Sequence, residues 1–252
     1  MNNQQYLEDV AMAITDQEYK ERMDKKIDEA IKSQEHEYME ASKELRDWHN
    51  AALTWDQFWK LLTAYARRFL AERGHFDQFV IDDNNREIIS QMYYYAIGSE
   101  KCKWNIHKGI YLAGKNGCGK TILMHSFCEV LHFISGKTVE MISAADLCEK
   151  IAESNFKSFA TRPLFIDELG REKLEINAFG NKIRPMKELI AKRYNNGART
   201  FFTSNFKVAT LAKWRDEKGE IIGYGAEIGG RIREMTTIVE MPGEDRRPKQ
   251  EE

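Results

Sequence analysis

The feature that most constrains this chain is an eight-residue run, Gly114-Lys-Asn-Gly-Cys-Gly119-Lys120-Thr121. It follows the apolar segment Gly109–Ala113 and opens the helix-patterned segment Thr121–Ile134. It matches the pattern G-x-x-x-x-G-K-[ST] in full, in the strand–loop–helix setting that the pattern requires. The glycines let the backbone turn and bring its N–H groups against phosphate oxygens. The helix that follows adds free N–H groups and a positive dipole end. Gly114, Asn116, Gly117, Cys118 and Gly119 thus form a phosphate cradle. Lys120 neutralises β/γ-phosphate charge, and the Thr121 hydroxyl is placed to ligate Mg²⁺. Cys118 has two readings. A thiol at a helix N-terminus is a candidate low-pKa group, or it is a small residue tolerated at a variable motif position.

Around this loop short apolar runs alternate with helical patterns. Strands are predicted over 109–113, 138–142, 163–167, 200–203 and 237–241, and helices over 121–134, 144–154 and 182–195. Strands alternating with helices imply crossover connections and a parallel sheet flanked by helices, an α/β fold. Two of the strands end in chemistry. Leu164-Phe-Ile-Asp167-Glu168 closes a buried run with two adjacent carboxylates. Asp167 is predicted to hold the magnesium ion through water, and Glu168 to orient and deprotonate an attacking water. Thr200-Phe-Phe-Thr-Ser-Asn205 ends in an amide suited to a γ-phosphate or to that water.

The N-terminal part has a different texture. Residues 1–50 hold no Pro and no Gly, with 13 acidic and 7 basic residues, a balance of 7 − 13 = −6. The whole chain is at −2, so residues 51–252 carry −2 + 6 = +4. Charges alternate in sign from Leu7 to Trp48, with thin apolar spacing at Val10, Ile14, Ile27, Ile31, Tyr38 and Leu45. This predicts a long charged helix, either fully solvated or finding its apolar partner on another chain. Thr54 with Gln57 forms a capping-box pattern that opens a helix over 54–72, and a second helix is predicted over 85–97. No run reaches the 18 or so apolar residues that span a bilayer. The N-terminus lacks the pattern of a signal peptide. Four scattered cysteines form no metal or disulfide pattern, which predicts a cytoplasmic protein with no membrane contact.

The succession GKNGCGKT, LFIDELG, FFTSN and GYGAEIGGRIREM resembles the AAA+ ATPases of the DnaC-type helicase-loader group, with the IstB-type transposition helpers as close relatives. The resemblance covers roughly residues 105–247. In these families Tyr-Gly precedes a Ser-Arg-Leu-x-Glu-Met segment, a last strand and a Gly-x-Asp-Arg-like end. Here these are Tyr224-Gly225, Gly230-Arg231-Ile232-Arg233-Glu234-Met235 and Gly243-Glu244-Asp245-Arg246, with Gly230 where serine is usual. The resemblance implies ATP as the nucleotide, no C-terminal lid domain, and self-association through the ATP sites. It implies that Arg231 reaches the neighbouring subunit's nucleotide, with Arg233 close enough to compete for that role.

The expected organisation is an acidic helical arm over 1–50 that binds a partner, a helical connecting region over 51–104, an AAA+ domain over 105–247 and a loose tail over 248–252. Phe156, Lys157 and Phe159, followed by Lys182, Arg184, Lys187, Lys192, Arg193 and Arg199, are candidate contacts to single-stranded DNA. Aromatic stacking with backbone-tracking cations holds such strands, but residues like Phe156 and Phe159 are more often core, and DNA binding here is mainly what the resemblance implies. An acidic arm fits a protein partner better than DNA, whose phosphates repel it. The resemblance implies an ATPase that loads a hexameric DnaB-type replicative helicase onto single-stranded DNA. The alternatives are a transposition helper ATPase of the IstB type and a nucleotide-gated DNA-binding adaptor with little turnover.

Overall fold

The computed structural model describes residues 3–46, 48–76, 79–153, 156–178, 181–213, 215, 218–220 and 222–246. The tail expected over 248–252 lies outside them. The chain divides into two units, Met1–Asp47 and Trp48–Glu252.

The first unit is one helix, α1, Asn3–Arg46. From residue 17 to residue 40 every side chain is exposed. Tyr19, Met23, Ile27, Ile31 and Tyr38 recur at spacings of four and seven, so they share one side of the helix. All five are exposed, Tyr38 at 71%.

The second unit opens with Trp48, which is buried under the Arg199 guanidinium. Helix α2 (Trp55–Ala71) starts at Thr54, whose hydroxyl accepts from the Gln57 N–H while Gln57 bonds back to the Thr54 N–H. This is the predicted capping box. Helix α3 (Arg86–Ala96) follows the turn at 82–85. The sheet elements then alternate with helices: β1 (Gly109–Gly114), α4 (Lys120–Ser135), β2 (Glu140–Ser143), α5 (Ala144–Glu153) and β3 (Leu164–Asp167). A short antiparallel hairpin follows, β4 (Ile176–Ala178) and β5 (Asn181–Ile183). The remainder is α6 (Pro185–Asn195), β6 (Thr200–Ser204), α7 (Val208–Leu211), α8 (Ala226–Met235) and β7 (Thr236–Met241).

Five strands form one parallel sheet in the order β2-β3-β6-β1-β7. Both faces are covered, as an all-parallel sheet requires. Along β1, Ile110 and Leu112 face a core with α2, α3 and α4, while Tyr111 and Ala113 face a second core with α5, α6 and α8. Helices α2 and α3, expected to connect, therefore contribute Phe58, Leu62, Ile89, Met92 and Tyr95 to the first of these cores. The sheet is tight at its start. A Cβ on Gly109 would stand 1.7 Å from the Thr200 carbonyl oxygen of β6.

Several sequence expectations change here. The helix predicted from Lys182 begins at Pro185, because proline has no N–H and disfavours helical backbone at Arg184 before it. Lys182 instead lies in β5. The hairpin was missed because its strands are three residues each, too short for a period-2 signal. The segment 226–235, read only as leading to the last strand, is helix α8. Helix α4 starts one residue early, at Lys120.

Candidate nucleotide site

All strands of the main sheet are parallel, so their C-terminal ends share one edge, where ligands of such sheets bind. The strand order decides which ends meet there. β6 lies between β1, which carries the phosphate loop, and β3, which carries the acidic pair. The polar end of β6 is thus placed to touch both.

The loop itself turns on Gly117 (φ +72) and Gly119 (φ +102). Both angles lie in the left-handed region that L side chains avoid. Gly119 caps α4, and Lys120 is the first helical residue. Lys120 is 7% exposed. Its Nζ donates to the Lys115 carbonyl at 2.6 Å and to Asn205 Oδ1 at 3.0 Å. Burial pushes its pKa below the usual lysine value, opposed by Cys118, Asp167 and Glu168. Cys118 is fully buried, with its Sγ 3.9 Å from that Nζ, so the thiol has no exposure for exchange chemistry. Gly114 packs against the Cys118 Sγ, and Asn116 lies on the cavity wall.

Thr121 Oγ1 donates to Asp167 Oδ1 at 2.9 Å. Thr203, on β6, also donates to that oxygen, and its Oγ1 accepts the Glu168 N–H at 3.1 Å. Glu168 has φ +56, the left-handed region, the one described non-glycine residue held there. The Thr203 bond explains why: it takes up the N–H that this kink turns toward β6. Glu168 Oε1 pairs with Arg171 at 3.1 Å, with both side chains about half exposed. Thr203 went unnoticed in the sequence. Only its position beside Asp167, set by β3–β6 pairing, reveals a role.

These groups open on a cavity of about 630 Å³. Its polar part holds residues 116–121, Glu168, Arg171 and Asn205, and its apolar part Phe69, Leu70, Phe79, Val80, Ile122 and Met241. Helix α2 and the segment that follows it thus supply most of the apolar wall, with Ile122 of α4 and Met241 of β7. Phe69 carries the Arg73 guanidinium 3.4 Å above its ring.

No protein-family model matches the chain, and no curated protein matches it. Among solved structures, a DnaI structure is 24% identical with a TM-score of 0.49, over 68% of this chain and 88% of that one. A DnaC helicase loader is 19% identical with a TM-score of 0.47, over 74% and 99%. AMPPCP-bound DnaA from Aquifex aeolicus is 15% identical with a TM-score of 0.46, over 65% and 48%. The fold is an α/β fold in which the first strand of a five-stranded parallel sheet runs into a phosphate loop and a helix.

The remaining sequence candidates lie elsewhere. Arg231 is not on the cavity wall. It sits on α8, paired with Glu227 at 2.7 Å and stacked 5.4 Å from the Tyr194 ring. Arg233, two residues on, is exposed. Phe159 is 6% exposed within the second core, which leaves no ring face for a base. Arg193 is fully buried, bonded to Thr200 Oγ1 and to the Phe159 and Arg199 carbonyls. Arg199 is 9% exposed and bonded to Tyr95. These three are therefore interior groups, not DNA-facing ones. A guanidinium's five donors suit such carbonyl capping, which a sequence pattern cannot distinguish from a surface cation. Phe156 is half-buried with Lys192 Nζ 5.4 Å over its ring, and Lys157 is exposed. Arg184 pairs with Glu175 at 2.6 Å. No helix of the described residues is long and apolar enough to cross a membrane.

Proposed function

We propose that this chain binds and hydrolyses ATP, with Mg²⁺, and uses the cycle to load a hexameric DnaB-type replicative helicase onto single-stranded DNA. The observation that carries the reading is the convergence of Lys120, Thr121, Glu168 and Asn205, from three separate strand ends, on one cavity with an apolar wall, with Asp167 bonded to Thr121 behind it. The residues fit a nucleoside triphosphate. The acceptors now on Lys120 Nζ are neutral oxygens, so phosphate oxygens are the stronger partners. Thr121 Oγ1 and Asp167 Oδ1 stand close enough to share one cation, Thr121 directly and Asp167 through water. That ion, when bound, draws charge from the β- and γ-phosphoryl oxygens.

Glu168 accepts the proton of the attacking water, and Asn205 holds the γ-phosphoryl group or that water in line. Arg231 leaves its own site uncovered and is offered to the next subunit, where a guanidinium offsets charge developing at the γ-phosphate. An isolated subunit is then a poor ATPase. The arm supports the helicase part of the reading. Its exposed stripe, Tyr19 to Tyr38, is an apolar face on an acidic helix, suited to a protein groove. Phe156 and Lys157 remain the candidates for single-stranded DNA.

The test is ATP turnover of the purified chain alone, with single-stranded DNA, and with DNA plus the replicative helicase of the same organism. The expected result is stimulation by the two together, and none in Glu168→Gln, which still binds ATP. Lys120→Ala should lose ATP binding. A chain comprising residues 48–252 keeps buried Trp48 and should bind ATP but not the helicase. Unchanged ATP affinity in Lys120→Ala would remove the phosphate-loop assignment. Full helicase affinity in the truncated chain would remove the arm's role. Stimulation by a transposase with target DNA, and none by the helicase, would favour the transposition helper.

A further inference from the structure

The segment after β7 lies across the phosphate loop. The Arg246 N–H donates to the Gly117 carbonyl at 3.0 Å. An Asp245 carboxylate oxygen stands 1.8 Å from where a Cβ on Gly117 would be, so Asp245 packs directly on the loop. Glu244 pairs with Lys115 at 2.7 Å, and Gly243 comes against Asn84. Residues 243–246 are thus held at four successive positions.

At the end of this strap the Arg246 side chain lines the nucleotide cavity, while Asp245 does not. Its Cδ lies 3.8 Å from the Cβ position of Gly119, beside the start of α4. Its Nη2 pairs with both oxygens of Asp82, at 2.9 and 2.7 Å. Among the described residues no hydrogen bond engages its Nε or Nη1. Asp82 follows Phe79 and Val80 of the apolar wall. The strand order gives the direction of approach. β6 and β3 lie on one side of β1, and β7 on the other. Arg246 therefore comes to the loop from the side opposite Asn205 and Glu168, between the cradle and the apolar wall.

We propose that Arg246 is a nucleotide-binding residue, a second cation that the C-terminal strap supplies to the phosphates shared by nucleoside di- and triphosphates. The inference rests on the cavity being the nucleotide site. Lys120 and Asn205 serve the γ-phosphate end, and Arg246 serves the end nearer the base. A guanidinium is a planar fork with five donors. It can keep Nη2 on Asp82 and give its other edge to phosphate oxygens. Asp82 holds the fork at the cavity wall until a nucleotide arrives, and its negative charge competes with the phosphates for the guanidinium.

The test is calorimetric titration of the full chain and of two variants, Arg246→Ala and Asp82→Asn, with ATP, ADP and adenosine. Arg246→Ala should weaken ATP and ADP alike, by about ten- to a hundredfold for a charge-assisted contact, and leave adenosine unchanged. Asp82→Asn should bind ATP and ADP as well as the parent or better, because the fork is released toward phosphate. Arg246→Gln, which keeps a donor for Asp82, should show the same loss as Arg246→Ala, and guards against a collapsed strap. Equal losses in Arg246→Ala and Asp82→Asn would make the pair a structural latch and overturn the inference. So would parent-like ADP affinity in Arg246→Ala, or a loss confined to ATP. A parent chain that bound neither ATP nor ADP would overturn the nucleotide-site reading, and this inference with it.

Discussion

Replacing Thr203 by valine tests whether the end of β6 positions the acidic pair. Valine keeps the shape of threonine, and the site is 1% exposed, so the change removes one hydroxyl and creates no cavity. Two bonds go with it. The bond to Asp167 is made to a charged group, and such bonds contribute about 1.5–3 kcal/mol. The second strands the Glu168 N–H, whose partner is Thr203 Oγ1 at 3.1 Å. The bond is part-buried, so water replaces some of it and the loss lies toward the low end of the roughly 1–3 kcal/mol that a stranded donor costs. Asp167 retains its bond from Thr121, which recovers part of the first loss. Glu168, already at φ +56, relaxes toward an ordinary backbone, which recovers part of the second. The expected net destabilisation is about 2–4 kcal/mol, read as a shift of the urea midpoint at constant slope. Thr203→Ser keeps the hydroxyl and loses one methyl, about 1 kcal/mol. Because relaxation moves the Glu168 carboxylate, stimulated ATP turnover should also fall in Thr203→Val and not in Thr203→Ser, with ATP affinity retained in both. If the two variants unfolded at the same urea concentration and turned over ATP equally, the hydroxyl would not be what holds the acidic pair.

Three further outcomes are expected. Arg231→Ala and Glu168→Gln should each be inactive alone and recover part of the stimulated ATPase activity when mixed, since mixed neighbours pair an intact Glu168 with an intact Arg231; no recovery at any ratio, with ATP binding and self-association intact, would shift attention to Arg233. His49 is half-buried beside Arg199, and desolvation first, then that charge, lowers its pKa from 6.5 to about 4. The unfolded chain therefore takes up the proton first as pH falls, so His49 stabilises fully above about pH 6.5 and loses that contribution between 6.5 and 4. Discounted for partial solvent access, the loss is about 1–2 kcal/mol, and His49→Phe should flatten the pH dependence of the thermal midpoint in that window. Gly109→Ala places a methyl 1.7 Å from the Thr200 carbonyl and should cost about 3 kcal/mol or more by overpacking; an unchanged urea midpoint would mean that β1 and β6 yield easily.

Local chemistry was legible in the residues themselves. The phosphate loop is a contiguous string whose glycines, lysine and threonine each answer one backbone or phosphate requirement, so no folding is needed to recognise it. The capping box at Thr54 and the apolar runs that end in Asp167-Glu168 and Ser204-Asn205 are local in the same sense. What lies within a few residues along the chain is set by backbone geometry and by period, and both are written in order.

The tertiary structure decided everything that depends on which strands are neighbours. β6 between β1 and β3 brings Asn205 to Lys120 across 85 positions and Thr203 to Asp167 across 36. It decided that Phe159, Arg193 and Arg199 are interior while Lys157 is exposed, because burial is a property of packing and not of residue type. It built most of the apolar wall from α2 and the segment before α3, far from the phosphate-loop motif in the chain. It folded 243–246 back over the loop, so that Arg246, 129 positions from Gly117 in the chain, lies against it. A string of residues specifies which groups can meet phosphate, but only the closing of the sheet specifies which of them share one cavity.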